Sequence, residues 1–141
     1  MSRTLSPAEL RDFVAGIFMR CNTSEANARA VATALVEAEL AGQSGHGLRR
    51  VESYAAQAQT GKVNGNATPT LTRTAPGTLN VDGANGYAYP ALDAALEQLP
   101  DFAKEQGIAA AGFHNSHHCG VAGVIVEILA SQGLVALLFA Y

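Results

Sequence analysis

The spacing of apolar residues changes near residue 62, and that change limits what the chain can fold into. From Ser6 to Gly61 they recur every three or four positions, the period of a helix with one buried stripe. Ser6, Pro7 and Glu9 form a helix-start signal: the serine caps, the proline sits where no donor is needed, and the glutamate reaches back as in a capping box. A first helix is expected from Pro7 to Arg20, with Leu10, Phe13, Val14, Ile17 and Phe18 inward. Asn22-Thr23-Ser24-Glu25 offers a second cap, and Val31, Leu35 and Ala38 line a second helix ended by Gly42. A third is expected from Gly47 to Thr60, buried through Leu48, Val51, Tyr54, Ala55 and Ala58 and stopped by Gly61.

Beyond Lys62, Thr, Asn, Pro and Gly become frequent, and Thr70–Thr74 and Thr78–Val81 read as short strands around Ala75-Pro76-Gly77. Pro90–Gln106 has helical spacing in Leu92, Ala95, Leu96, Leu99 and Phe102, with Pro100 removing a donor and kinking or dividing it. Ile108–Phe113 then reads as a strand, Val121–Gln132 as a helix closed by Gly133, and Leu134–Tyr141 as a nearly all-apolar strand. The expected class is α+β: a helical subdomain over residues 1–62, then an α/β portion over 63–141 with a strand-helix-strand unit. The last run suits a strand covered on both faces, so the sequence is expected to be the front of a longer fold.

At 141 residues and 48% apolar, the chain supports one ordinary core. A formal charge of −3 with thinly spread Lys and Arg gives no basic face for nucleic acid and no polybasic membrane patch. Met1–Ser6 lacks an apolar leader run, and no segment approaches the roughly 20 apolar residues that span a bilayer. Cys21 and Cys119 are far apart, a usage that fits a reducing compartment and leads to an expected cytoplasmic location.

All four histidines lie in two glycine-punctuated stretches, Ser44-Gly45-His46-Gly47-Leu48-Arg49-Arg50 and His114-Asn115-Ser116-His117-His118-Cys119-Gly120. Imidazole titrates near neutrality, so two histidines beside an arginine make a proton-transfer and anion-holding constellation. His46 and Arg50 project from one face, a turn apart, if the helix starts by Gly47. The second stretch follows a strand and opens a helix, where backbone N–H groups can hold polar or anionic ligand groups. The plainer alternative is turn chemistry alone, with His114 and His117 as surface loop residues and Arg49 and Arg50 solvated. His114, His117, His118 and Cys119 are all possible ligands, but neighbours such as His118 and Cys119 rarely point at one ion, so no metal site is expected. No phosphate-loop lysine motif and no G-x-G-x-x-G after a strand is present.

Ser44-Gly45-His46-Gly47-Leu48-Arg49-Arg50 followed by Tyr54 resembles the S-H-G-x-x-R-x-x-x-Y segment of the malate/L-lactate dehydrogenase family, which includes malate, sulfolactate and ureidoglycolate dehydrogenases and diketogulonate reductase. Gly61-Lys62-Val63-Asn64, Val81-Asp82-Gly83 with Asn85-Gly86, Gly107-Ile108, and Asn115-Ser116-His117-His118-Cys119-Gly120 with Ala122-Gly123 are similar to further family segments, in the same order. The resemblance implies a non-Rossmann fold, an NAD or NADP cofactor, and interconversion of a small 2-hydroxy acid and its 2-oxo acid. It places the catalytic-site histidines at His46 and His118, the carboxylate-holding arginine at Arg50, and cofactor contacts at Ser116 and Gly120. A homodimer is the expected assembly. Departures from the pattern are Gly45 for Ser, Ser44 for Asp, Ala41 for Arg, Ala88 for Gly, Cys119 for Phe, and Val124-Ile125 for an aromatic pair. Members run to well over twice this length, and their later part supplies most dinucleotide contacts. The expected function is thus the N-terminal part of such an oxidoreductase, with an incomplete cofactor site. The alternative is a non-catalytic, stand-alone or partner-binding remnant domain.

Overall fold

The computed structural model describes residues 4–140. Met1–Arg3, part of the leader reading, and Tyr141, the end of the expected last strand, lie outside the described residues. Helix α1 (Pro7–Met19) starts at the expected capping box: the Glu9 N–H donates to Ser6 Oγ at 3.3 Å, and the Ser6 N–H donates to Glu9 Oε2 at 2.8 Å. It packs along α2 (Glu25–Leu40), which is capped by Ser24. Val14, Ala15 and Phe18 are buried, whereas Phe13, expected inward, is 62% exposed. Val14, Ala15 and Phe18 share one line of the helix, and at about 100° per residue Phe13 lies about 150° round from it, on the outer side.

The expected third helix begins as a 3-10 turn (Leu48–Arg50) and becomes α3 (Val51–Gln59). Strands β1 (Thr70–Ala75) and β2 (Thr78–Gly86) form an antiparallel hairpin in which Leu71 faces Val81 and Arg73 faces Leu79. Strand β2 also pairs in parallel with β3 (Ala110–Ser116) from Thr78 opposite Ala110 onward, and it runs past the expected Val81 because the pairing continues with Asp82 opposite His114 and Gly86 opposite Ser116. Ala84 and Asn85 take left-handed φ of 51° and 58° there, where the register with β3 shifts. The sheet order is β1-β2-β3. The kinked helix is two helices, α4 (Ala88–Leu96) and α5 (Leu99–Gln106), with Pro100 in the first turn of α5, where its missing N–H costs nothing.

Helix α4 covers one sheet face, where Leu79 and Val81 meet Ala91 and Ala95. The larger core joins α1, α2 and α3 to Val63, Tyr87, Ala88, Tyr89 and Leu92, and so draws on both sides of residue 62. Phe18 meets Tyr87 edge-on at 5.8 Å between ring centres, a favoured aromatic geometry. The described residues therefore form a mixed fold of six α-helices and a three-stranded sheet. No helix among the described residues is long and apolar enough to cross a membrane.

The last element departs from expectation. After α6 (Ala122–Ala130), residues 134–140 pair with no strand, and Val135, Leu137 and Phe139 are 98%, 81% and 89% exposed. A strand is stable only with a partner for its backbone and a cover for its apolar faces, and the described residues supply neither here. Helix α6 likewise has no buried residue.

Across the residue-62 junction, the Asn27 Nδ2 donates to the carbonyls of Gly65 at 2.9 Å and Ala67 at 2.8 Å. Asn27 is buried, so Asn27→Ala strands the Ala67 carbonyl, at about 1–3 kcal/mol, and leaves the Gly65 carbonyl with the Ser24 N–H alone, a loss of about 1 kcal/mol more. Denaturant unfolding is expected to show a loss of about 2–4 kcal/mol; a loss below about 0.5 kcal/mol, the level of an ordinary surface change, contradicts this role.

Candidate active site

The two histidine stretches meet. The first is a tight turn after α2, closed by the His46 N–H donating to the Gln43 carbonyl at 2.8 Å and the Gly47 N–H donating to the Ser44 carbonyl at 3.2 Å. The second leaves the end of β3, where the His117 N–H donates to the Gly86 carbonyl at 3.0 Å and continues the β2 pairing. Asn115 and Gly120 adopt positive φ, 49° and 69°, and turn the chain so that His117 faces inward and His118 reaches across to the turn. The His118 Nε2 lies 3.4 Å from His46 Nδ1, and the rings stack with centres 5.5 Å apart. Either ring can donate to the other across this contact, according to which tautomer each adopts.

Arg50 folds back over the same turn, its Nε donating to the Gly45 carbonyl at 2.7 Å. Burial first, then the charges of His46 and Arg50, lower the pKa of His118 below the usual histidine value. A cation beside a half-exposed imidazole pair makes a ready place for a carboxylate, and the imidazoles supply or accept one proton.

His117 is not the loop-surface residue the sequence suggested. It is half-buried, with Nε2 at 3.0 Å from Gln57 Oε1 and its ring edge-on to Tyr54 and Tyr87 at 4.7 and 6.0 Å. Burial and its cationic neighbours lower its pKa as well. Its Nδ1 and the Tyr54 hydroxyl are buried without a hydrogen-bond partner. No sequence signal set His117 apart from His118; the deciding contact comes from α3, sixty residues away. His114 does lie on the surface, beside Asn80 and Asp82.

Ser116 is exposed at the end of β3, donates to the His117 carbonyl at 3.2 Å, and borders a cleft of about 240 Å³ shared with Lys62, Val63, Asn85, Asn115 and His117. Gly120 lies against Tyr89: a Cβ there would stand 2.6 Å from the tyrosine hydroxyl. Its lack of a side chain is thus accounted for by the protein's own packing. Among the described residues, no three His, Cys, Asp or Glu side chains converge as a metal site. Cys21 and Cys119 are free thiols.

Residues 5–141 match the family described as malate/L-lactate dehydrogenase. The chain belongs to that family. It is 42% identical over 129 residues to a Δ1-pyrroline-2-carboxylate/Δ1-piperideine-2-carboxylate reductase of Pseudomonas putida, covering 92% of this chain and 38% of that protein. It is 37% identical over 139 residues to a (2R)-3-sulfolactate dehydrogenase (NADP+) of Chromohalobacter salexigens, covering 99% and 41%. The crystal structure of the Δ1-piperideine-2-carboxylate reductase of Pseudomonas syringae superposes with a TM-score of 0.90 at 33% identity, over 94% of this chain and 40% of that one. This family member therefore spans about two fifths of the length of the curated relatives it matches, at their N-terminal part.

In this dehydrogenase-family chain, His117 and His118 bind protons less readily when folded than when unfolded, both sitting below the ordinary 6.5. Their sign is fixed: they leave stability untouched above that value, and stability falls as pH drops below it, because the unfolded chain takes up protons first. Proton NMR titration is expected to give midpoints below 6.5 for both, with the His118 midpoint rising in Arg50→Ala. Ordinary midpoints, or no change on removing Arg50, contradict this electrostatic picture.

Proposed function

We propose that the chain is the N-terminal catalytic portion of an NAD(P)-dependent oxidoreductase that interconverts a small 2-hydroxy acid and its 2-oxo acid. The observation that carries this reading is the 3.4 Å contact between His46 and His118 with Arg50 beside it. Malate, sulfolactate and pyrroline-2-carboxylate, the compounds in the relatives' names, share a carboxylate next to the carbon that changes oxidation state. Arg50 orients that carboxylate through a two-pronged contact. The imidazole pair delivers one proton to the oxygen or nitrogen that gains it on reduction, and takes it back on oxidation, so that no free alkoxide accumulates. The second imidazole replaces the proton that the first gives up. Double protonation is disfavoured because two cations would then stand in contact.

A nicotinamide cofactor supplies or accepts the hydride. The residues present fit one polar end of it. The Lys62–Ser116 cleft has a cation, two asparagines and a hydroxyl, suited to a carboxamide or a phosphate. At about 240 Å³ it is too small for a whole dinucleotide, and Gly120 is taken up by Tyr89, so the remaining contacts fall to the length that the relatives carry beyond this region. A non-Rossmann fold, a cytoplasmic location and a homodimer belong to the same proposal.

The second reading, a partner-binding domain without catalysis, is favoured by one feature. Ile108, Val135, Leu137 and Phe139 are 78–98% exposed, and β3 is an edge strand of the sheet among the described residues. A surface of that kind is covered in working proteins, by a further part of the fold or by another chain.

The test is a chimera in which this chain replaces the matching N-terminal part of the Pseudomonas putida reductase. It is expected to oxidise NADPH or NADH in the presence of 2-oxo acids or cyclic imino acids, read by absorbance. His118→Ala is expected to lower kcat about 100-fold or more, and Arg50→Ala to act mainly on kcat/KM. A folded chimera that is inert, or wild-type rates in both variants, overturns the catalytic reading and leaves the partner-binding one.

A further inference from the structure

Besides its own backbone hydrogen bonds, the turn that carries His46 is held from outside by a side chain of the neighbouring helix. It is rich in glycine, and the 3-10 turn that follows, which carries Arg50, has Gly47 at its cap position and so no side chain to receive its first N–H groups. Those donors still need a partner, and it comes from the neighbouring helix. Glu39, in the last turn of α2, accepts from the Ser44 hydroxyl through Oε1 at 2.7 Å and from the Leu48 backbone N–H through Oε2 at 3.0 Å. One carboxylate therefore grips the chain two residues before His46 and two residues after it. Gly47 is pressed against the same group: a Cβ there would overlap the Glu39 carboxylate and stand 3.1 Å from the Glu39 nitrogen and 3.2 Å from the Leu35 carbonyl.

We propose that Glu39 is the positioning residue of the imidazole pair, fixing His46 against His118 and starting the helical turn that carries Arg50, while making no hydrogen bond to either histidine or to that arginine. As a statement about catalysis, this rests on the dehydrogenase reading above. As a statement about geometry, it is tested without substrate. The Ser44 hydroxyl and the Leu48 N–H hold the Glu39 carboxyl below the usual carboxylate range, and Arg49 adds to this. Glu39 therefore stays ionised while the histidines titrate, and the clamp does not loosen in the range where they act. Its requirement is two polar atoms at the right place rather than a charge near the imidazoles. A glutamine, with one acceptor for the Leu48 N–H and one donor for the Ser44 oxygen, can meet that requirement.

The experiment is NMR on the isotopically labelled chain, reading the nuclear Overhauser contact between the His46 and His118 rings and the His118 titration. The expected result is loss of the contact in Glu39→Ala, with the His118 midpoint moving up towards the ordinary value as the His46 charge withdraws. In Glu39→Gln both are expected to be kept, and His114 resonances should stay unmoved in each. If Glu39→Ala fails to fold, Glu39→Asp is read instead: its arm is one methylene shorter and reaches at most one of the two donors, so loss of the contact supports the proposal and retention overturns it. A folded Glu39→Ala chain with the ring contact and titration intact overturns it, as does a Glu39→Gln chain that loses both. Because no cofactor or acid is added, an inert enzyme leaves this result standing, and a lost clamp leaves the reaction class open.

Discussion

The packing of Tyr54 against Tyr87 and His117 is the contact on which the rest of this structure depends. Tyr54 belongs to α3, Tyr87 follows β2, and His117 follows β3, so three rings from three separate stretches close on one point. The Tyr87 hydroxyl donates to the Tyr54 carbonyl at 3.0 Å, and its own ionisation is pushed up to about 12 by burial, which keeps it a donor throughout the physiological range. Buried aromatics of this size dominate core energetics, each removing some 150–250 Å² from water. Here they also set a direction. With His117 wedged between two tyrosines, the next residue must emerge on the side of the α2–α3 turn, where His46 stands.

That arrangement explains why the site is formed across the change of character at residue 62 rather than within either half. The helical front contributes the turn, Arg50 and the wall of the core; the sheet contributes a rigid exit for the second stretch. Strands and helices hold their ends to fractions of an ångström, whereas free loops do not, and both histidines are one or two residues from such an end or from a bonded turn. Burial of His118 and the cation at Arg50 act on its protonation in one direction, towards the neutral imidazole.

Much of this was legible in the residues themselves. Ser6, Pro7 and Glu9 announce α1, and the first-turn preference of proline announces the break at Pro100, because capping is local chemistry. The grouping of histidines with glycines pointed to a candidate site, and the structure brings His46 and His118 together with Arg50 on the turn that follows His46. What the sequence hid was tertiary. Phe13 belongs to the apolar pattern, yet only the position of the neighbouring helices, which cover Val14, Ala15 and Phe18, puts it outside. The strand expected to end at Val81 extends to Gly86 only because β3 pairs with it. His117 and Glu39 carry no mark in one dimension, since their partners lie on other elements. Residues 134–140 have strand composition but no neighbour among the described residues, and a strand is a property of a pair.

The central claim is that the front helices and the β3 exit build one acid-holding pocket from two imidazoles and a guanidinium. The most direct measurement is a titration of the labelled chain with oxamate, an unreactive analogue of a 2-oxo acid, followed by the side-chain nitrogen signals. The account predicts that His46, His118 and the Arg50 Nε move together along one saturating curve while His114 does not. Movement of Arg50 alone, or of the two histidines on separate curves, would contradict it.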